Sequence, residues 1–458
     1  MKIIKEINKY IFRGYDIRGI YGEDLNEDVA YTIGKGFGSY IQTLGKKIAV
    51  VGHDNRSSSP VLSNAFIKGA VETGITVYNI GLVTTPMYYF SWENLGVVSG
   101  AMITASHNPK EYNGFKVAFD ERGNACGEMI QDFRRYIEKG EFIEGEGKVI
   151  EKDIKEEYLK LLKSSIDLGK RRVKVVLDAG NGTGSVVIKE AFEGLNIDAE
   201  YIFCDSDPDF PNHHPDPCVE ANLEKLKAKV KEVHADIGLS VDGDADRVGV
   251  VDENGTFVPV DYLMIIMWRD IYKNVRNKKA LYDVKCSKSL ADELDKLGIE
   301  KFCYRTGNSY MKAMMKEGDF DFGGELSGHI FFRDKWPGFD DGIYGCLRYV
   351  EILSKTDKKF SELLDGITRY YSTPELKIKS TDEEKFNVVG KSITKLSING
   401  FNTTKGKKPS FEVKDGSTIL VEDTDYQITA WDSSSVGSSA GKATLKGCGN
   451  YEGTIAVS

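Results

Sequence analysis

Cysteine is scarce and badly spaced for chemistry: Cys126, Cys204, Cys218, Cys286, Cys303, Cys346 and Cys448 form no Cys-x-x-Cys pair in 458 residues. That excludes a disulfide scaffold and points to a reducing compartment. No run of some 18 apolar residues occurs, and charges interrupt Met1 to Tyr10 too often for a secretory leader, so a cytoplasmic protein without a transmembrane segment is expected. An excess of positive charge is also missing. The 61 basic residues face 70 acidic ones, a net charge of −9, which speaks against nucleic acid or an anionic membrane as the main partner. Arginine is absent after Arg369. What the chain does have is an ordinary globular composition, 41% hydrophobic and 29% charged, over a length that implies about three or four domains.

Short β-branched runs alternate with helical patterns: Lys47 to Val51 then Pro60 to Val71, Gly100 to Thr104, Val173 to Leu177 then Ser185 to Phe192, and Asp236 to Val241. Strands that alternate with helices build mostly parallel, covered sheets, whose ligands gather at the carboxyl ends of the strands. A boundary is expected near residue 150, and another near 253, where Asp252-Glu-Asn-Gly255 reads as a hairpin turn. From about Lys391 the helical pattern stops. The runs Ser410 to Val413, Thr418 to Val421, Tyr426 to Ala430, Lys442 to Leu445 and Thr454 to Val457 read as a small all-β sandwich.

Four constellations carry chemistry. Thr104-Ala-Ser106-His107-Asn108-Pro109 follows a strand directly, so its serine hydroxyl is exposed at the sheet edge, where it could act as a nucleophile or carry a phosphate, with Lys116 close behind. Ser106 to Pro109, four turn-forming residues, also make a plain turn. Asp242-Gly-Asp244-Ala-Asp246-Arg247 places three carboxylates where they converge on one hard divalent cation, Mg²⁺ being the natural choice. It is not an EF-hand loop, because Arg247 stands where glycine is required and strands flank it. Gly323-Gly-Glu325-Leu-Ser327-Gly-His329 projects a carboxylate and a hydroxyl together, which suits two neighbouring sugar hydroxyls, or else caps a helix. Phe12-Arg13-Gly-Tyr15-Asp16-Ile-Arg18-Gly19 offers guanidinium forks to phosphate, or structural salt bridges. Two further patterns carry less. His213 and His214 are adjacent in a Pro-rich loop and face apart, and Asp178 to Ser185 resembles a glycine-rich phosphate loop.

In this order, Phe12 to Arg18, Thr104 to Pro109, Asp242 to Arg247 and Gly324 to His329 resemble the α-D-phosphohexomutase family, most closely its phosphomannomutase/phosphoglucomutase branch, over residues 10 to 385. The resemblance implies three related α/β domains around a central cleft, at 1–150, 151–253 and 254–372, with an atypical region at 373–458. It implies a phosphoserine at Ser106, Mg²⁺ held by Asp242, Asp244, Asp246 and that phosphoserine, and catalytic roles for His107, Lys116, Arg18 and Arg247. Tyr15, Lys285, Asn308, Glu325 and Ser327 would bind substrate. The implied reaction interconverts hexose 1-phosphates and 6-phosphates through a hexose 1,6-bisphosphate. Phosphoglucosamine mutase, and a non-catalytic sugar-phosphate-binding or surface protein, are the alternatives. Two departures stand out. Asn308 occupies the family's histidine position, and nothing after Glu384 resembles the family's Arg-Pro-Ser-Asn-Thr-Glu clamp for the non-reacting phosphate. The last stretch, with Lys407 to Phe411, Asp425-Tyr426 and Gly447 to Tyr451, instead resembles a bacterial Ig-like β-repeat.

Overall fold

The computed structural model describes residues 1–370 in full and, beyond them, the backbone of six strands. Met1–Thr368 forms one compact unit and Arg369–Ser458 a second.

Three sheets make the first unit, and they share one plan. The first runs Ile17–Ile20, Tyr112–Ala118, Gly100–Ile103, Ile48–His53, Thr76–Leu82, Lys148–Glu151. The second runs Phe257–Val258, Val248–Asp252, Ile237–Val241, Val173–Asp178, Ile197–Ile202. The third runs Glu300–Tyr304, Lys279–Asp283, Phe322–Gly324, Ile330–Phe332. The first and third are parallel over most of their width and the second over half of it, and each turns antiparallel at one side, so the sheets are mixed rather than mostly parallel throughout. The antiparallel turn falls at Gly100–Ile103 against Tyr112–Ala118, at Ile237–Val241 against Val248–Asp252, and at Phe322–Gly324 against Ile330–Phe332. In all three the connecting loop leaves the carboxyl end of a buried strand, where sheet ligands collect. These loops hold Ser106, the aspartate trio and Glu325.

The hydrophobic runs behave as their composition dictates. Ile237–Val241 and Val248–Asp252 are buried along their whole length, because helices pack on this mixed sheet and cover both strands. A single apolar core joins the three sheets, running through Tyr88, Tyr158, Leu177, Val241, Trp268, Phe332 and Leu353. The expected hairpin at Asp252–Gly255 forms, with Gly255 in the left-handed region and Phe257–Val258 returning as an edge strand of the second sheet. The helix expected over Ser185 to Phe192 does not form as one element. It breaks into a 3-10 turn, Thr183–Val186, and a short helix, Ile188–Phe192, since Gly184 is pressed against Val241 and Ala245 and two β-branched valines intervene.

In the second unit, Leu396–Asn402, Ser410–Asp415 and Thr418–Leu420 form one antiparallel sheet, and Tyr426–Asp432, Lys442–Gly447 and Thr454–Val457 another. The five expected runs coincide with five of these strands. Among the described residues no helix is long and apolar enough to cross a membrane.

Candidate active site

Ser106 sits in the left-handed region at φ 50°, a conformation that a non-glycine residue holds only when its surroundings fix it. The fixing is visible. Its own N–H donates to Thr104 Oγ1 at 2.9 Å, and its carbonyl accepts from Arg56 Nη2 at 2.6 Å. Arg56 is the main anchor: it also donates to the carbonyls of Asn108, Pro109 and Tyr112, and its Nε lies 3.2 Å from the Asp54 carboxylate. Arg18 supports the other flank by donating to the Ala105 carbonyl and to Asn108 Oδ1, while Asp16 holds its second nitrogen at 2.6 Å. With Arg56 only 1% exposed, an Arg56→Met variant takes the side-chain donor from four loop carbonyls, that of Ser106 among them buried, and the guanidinium charge from buried Asp54. We expect it to lose about 3 to 5 kcal/mol of stability in chemical denaturation. A loss within experimental error would show that the loop holds itself.

The Ser106 hydroxyl donates to Asp242 Oδ2 at 2.7 Å, and the nearest ring nitrogen, His107 Nδ1, is 3.3 Å away. Burial, then Arg247 and Arg18, holds the His107 imidazole well below its usual range, so it is neutral at physiological pH. Thus the first sheet's serine meets the second sheet's aspartate loop. That loop is shaped by Ala245 at φ 63° and by the N–H groups of Asp246 and Arg247, which both donate to Asp242 Oδ1. Thr183 N–H donates to the Gly243 carbonyl and Gly342 N–H to that of Ala245, so neighbouring elements grip the loop from two sides.

Asp242, Asp244 and Asp246 are each fully buried, and one oxygen from each lies within 4.8 Å of the others. Lys116 answers part of that charge, with Nζ 3.0 Å from Asp244 Oδ2 and 2.6 Å from Asp246 Oδ2, and Thr85 Oγ1 donates to Asp244 at 2.6 Å. Arg247 Nε stands 3.6 Å from Asp242. Asp244 Oδ1 and Asp246 Oδ1 are left buried with no hydrogen-bond partner. Burial, then the charges of Asp244 and Asp246, pushes the Asp242 carboxyl well above its ordinary range. Orphaned carboxylate oxygens, an all-oxygen donor set and a carboxyl driven toward protonation are what a hard divalent cation would relieve, so the residues fit Mg²⁺.

The third loop brings Glu325, 1% exposed, whose Oε1 accepts the Gly307 N–H at 2.5 Å and whose Oε2 faces Ser327 Oγ at 3.5 Å. Burial raises its carboxyl above the usual range. Gly307 lies against the Tyr15 ring, which packs edge-on to Tyr310, so Tyr15 and the third loop are neighbours across the chain. Lys285 is exposed just past the strand Lys279–Asp283. Asn308 is buried and its amide donates to Asp340 at 3.3 Å.

Several residues of the site carry no sequence signal of their own. Asp340 accepts from Lys312 at 3.0 Å and meets His329 Nδ1 at 2.7 Å, and His329 in turn reaches Asp246 at 3.4 Å. Arg56 had one available clue, its place in His53-Asp-Asn-Arg56 at the carboxyl end of a strand. Conversely, the glycine-rich turn after Asp178 cradles nothing, because the amides of Gly180, Asn181, Gly182, Thr183 and Ser185 are spent on protein oxygens. His213 pairs with Asp178 at 3.0 Å, a structural contact, as expected of that loop.

Three serial α/β sheets, each presenting one chemistry-bearing loop at the same topological position, define a phosphoryl-handling enzyme scaffold. The matching family models are phosphoglucomutase/phosphomannomutase alpha/beta/alpha domain I over residues 9–144, domain II over 156–255 and domain III over 259–371. The chain is 41% identical over 379 residues to a phosphomannomutase/phosphoglucomutase of Pseudomonas putida, covering 83% of this chain and 81% of that protein. It is 41% identical over 374 residues to a phosphoglucomutase of Neisseria gonorrhoeae, covering 81% of each. A crystal structure of a phosphoglucomutase/phosphomannomutase family protein from Burkholderia thailandensis superposes with a TM-score of 0.77 at 32% identity, covering 94% of this chain and 92% of that one. The chain belongs to the phosphoglucomutase/phosphomannomutase family.

Proposed function

We propose that the protein is a Mg²⁺-dependent phosphomannomutase/phosphoglucomutase that interconverts hexose 1-phosphates and hexose 6-phosphates, with Ser106 as the phosphoryl carrier. The observation that carries this reading is the 2.7 Å contact between the Ser106 hydroxyl and Asp242, made by loops of two different sheets. Phosphoryl transfer asks for positioning and charge neutralisation above all. Phosphorylated Ser106 donates to a free hydroxyl of the bound hexose phosphate. The bond from phosphorus to Ser106 Oγ breaks as the bond to the sugar oxygen forms, and the hydroxyl proton passes to Ser106 Oγ through His107. The resulting hexose 1,6-bisphosphate turns over in the site and returns its other phosphate to Ser106. Lys116, Arg18 and Arg247 offset the charge that spreads over the phosphoryl oxygens. A Mg²⁺ bound by Asp242, Asp244 and Asp246 together with the phosphoserine would neutralise the same oxygens as a Lewis acid. Glu325 and Ser327 would hold sugar hydroxyls, Tyr15, Lys285 and Asn308 the rest of the substrate.

The test is a coupled assay with glucose 1-phosphate and mannose 1-phosphate, primed with catalytic hexose 1,6-bisphosphate, beside mass spectrometry of the peptide that contains Ser106. Turnover of both sugars and a gain of about 80 Da on that peptide, one phosphoryl group, are expected. Protein that stays unphosphorylated at Ser106 and inactive on both sugars after priming would reject the reading.

The domain limits that go with it are 1–150, 151–253, 254–372 and 373–458. The region from about 391 is proposed to be an Ig-like sandwich that stands where the family carries its arginine-bearing phosphate clamp. Support comes from the run of short antiparallel strands and from the absence of arginine after Arg369. Without a bidentate clamp, KM for hexose monophosphates is expected to exceed that of a variant grafted with an arginine-bearing loop by at least tenfold, about 1.4 kcal/mol. Equal KM values for the two proteins would refute the exchange.

A further inference from the structure

Behind the metal loop, on the far side of Lys312 and Tyr89, lies a cavity of about 350 Å³ between the first and third sheets' surroundings. None of Ser106, the aspartate trio, Glu325 or Ser327 lines it. Its walls are apolar and aromatic where Tyr89, Trp92 and Phe339 meet, with Tyr89 5.4 Å from Trp92 and 5.8 Å from Phe339 by ring centroids. Four cations line it, of which Arg122 pairs with Asp120, Lys312 with Asp340 and Arg333 with Asp319, while Lys316 Nζ donates to the Glu121 carbonyl at 3.1 Å, and they share the lining with two carboxylates, Glu93 and Glu121. One of those carboxylates is already matched, since Lys46 pairs with Glu121 from outside the cavity. The lining also contains an unsatisfied group: Asn124, 5% exposed, donates its amide to the Tyr89 hydroxyl at 2.8 Å but leaves its own carbonyl oxygen buried without a donor.

We propose that this cavity is a second ligand site, separate from the catalytic centre, for a small planar organic anion: a ring against Trp92 and Phe339, a single phosphate or carboxylate toward Arg122 and Lys316, and a ring or side-group donor for Asn124. The volume suits a ligand of that size, and ligand sites of this kind combine apolar walls with a few polar groups that fix orientation. Its floor is tied to the reaction centre. The Lys312 ammonium lies 3.7 Å over the Tyr89 ring and 3.0 Å from Asp340, which meets His329, which reaches Asp246. An occupant that moves Lys312 therefore changes the surroundings of an aspartate of the metal loop.

Binding is read from tryptophan fluorescence and by calorimetry on the full chain, with phenyl phosphate, benzoate and inorganic phosphate as probes. Phenyl phosphate and benzoate are expected to bind saturably and at least tenfold tighter than inorganic phosphate. A phosphate-only preference would overturn the ring contact. In the double variant Arg122→Glu, Lys316→Glu, phenyl phosphate affinity falls at least tenfold while unliganded turnover is unchanged, and Trp92→Phe removes the fluorescence response while calorimetry still reports binding. Affinity that survives the double charge reversal, or phenyl phosphate displaced by saturating glucose 1,6-bisphosphate, would place the probe elsewhere and overturn the site. The link to catalysis rests on the mutase reading, whereas binding does not: saturating phenyl phosphate is expected to change kcat at least twofold with KM unaltered, and an unchanged kcat in an active enzyme would sink the link alone.

Discussion

Replacing Ser106 with alanine is expected to lower mutase turnover by at least about a thousandfold, the scale seen when a covalent carrier is removed and only binding and electrostatics are left. The fold should hardly notice. Ser106 contributes one hydroxyl, which donates to Asp242, and the loop's backbone is held by Arg56 and Arg18 rather than by that hydroxyl. The thermal midpoint of Ser106→Ala is therefore expected to stay within a few degrees of the parent. Loss of turnover together with loss of structure would assign Ser106 a packing role, and undiminished turnover would remove it from the reaction. The intact peptide mass of the variant should also lack the phosphoryl group, an observation independent of any assay.

Asp242→Asn is expected to separate function from stability in the opposite sense. Three carboxylates share one dry pocket, and Asp242 is the one whose carboxyl is driven well above its ordinary range, first by burial and then by Asp244 and Asp246. A carboxyl raised in the folded state costs stability once pH exceeds its unfolded value, because the native protein must either hold a proton that the unfolded chain has released or carry an unfavourable charge. Stability from this group is thus greatest in acid and declines as pH rises through and above the ordinary aspartate range. The asparagine removes that decline. In the absence of Mg²⁺ its thermal midpoint at pH 7 should exceed that of the parent, while kcat falls by about a hundredfold or more for want of a metal-binding oxygen. Added Mg²⁺ should raise the parent's midpoint and leave the variant's unmoved. A metal-free variant that melts below the parent would mean that Asp242 is satisfied without a cation.

The parts legible in the sequence were the ones compressed into short loops. Ser106, the aspartate trio and the Glu325 to His329 segment are each local, so residue type and spacing alone display their chemistry, and buried β-branched strands on either side place them at a sheet edge. What stayed hidden depends on distant parts of the chain. Thr85 reaches Asp244 across 159 positions, and Lys312 touches Asp340, itself in an unremarkable Trp-Pro-Gly-Phe-Asp run. Arg56 reads as an ordinary polar turn residue until the carbonyls of residues 106 to 112 are seen to converge on it. Leu396–Asn402 escaped for a local reason: Gly400 breaks the alternation that Leu396 to Asn399 begins and throws Phe401 out of phase, where the register also shifts.

The three loops occupy one equivalent place in three successive sheets, and the helix that follows the last of them supplies Gly342, whose N–H donates to the Ala245 carbonyl. A chain still emerging from the ribosome therefore owns a serine, later a serine and an aspartate trio, but no finished pocket until the third copy has docked. The helix Gly342–Ser354, made after all three loops, is thus the late piece that fastens the metal loop in place.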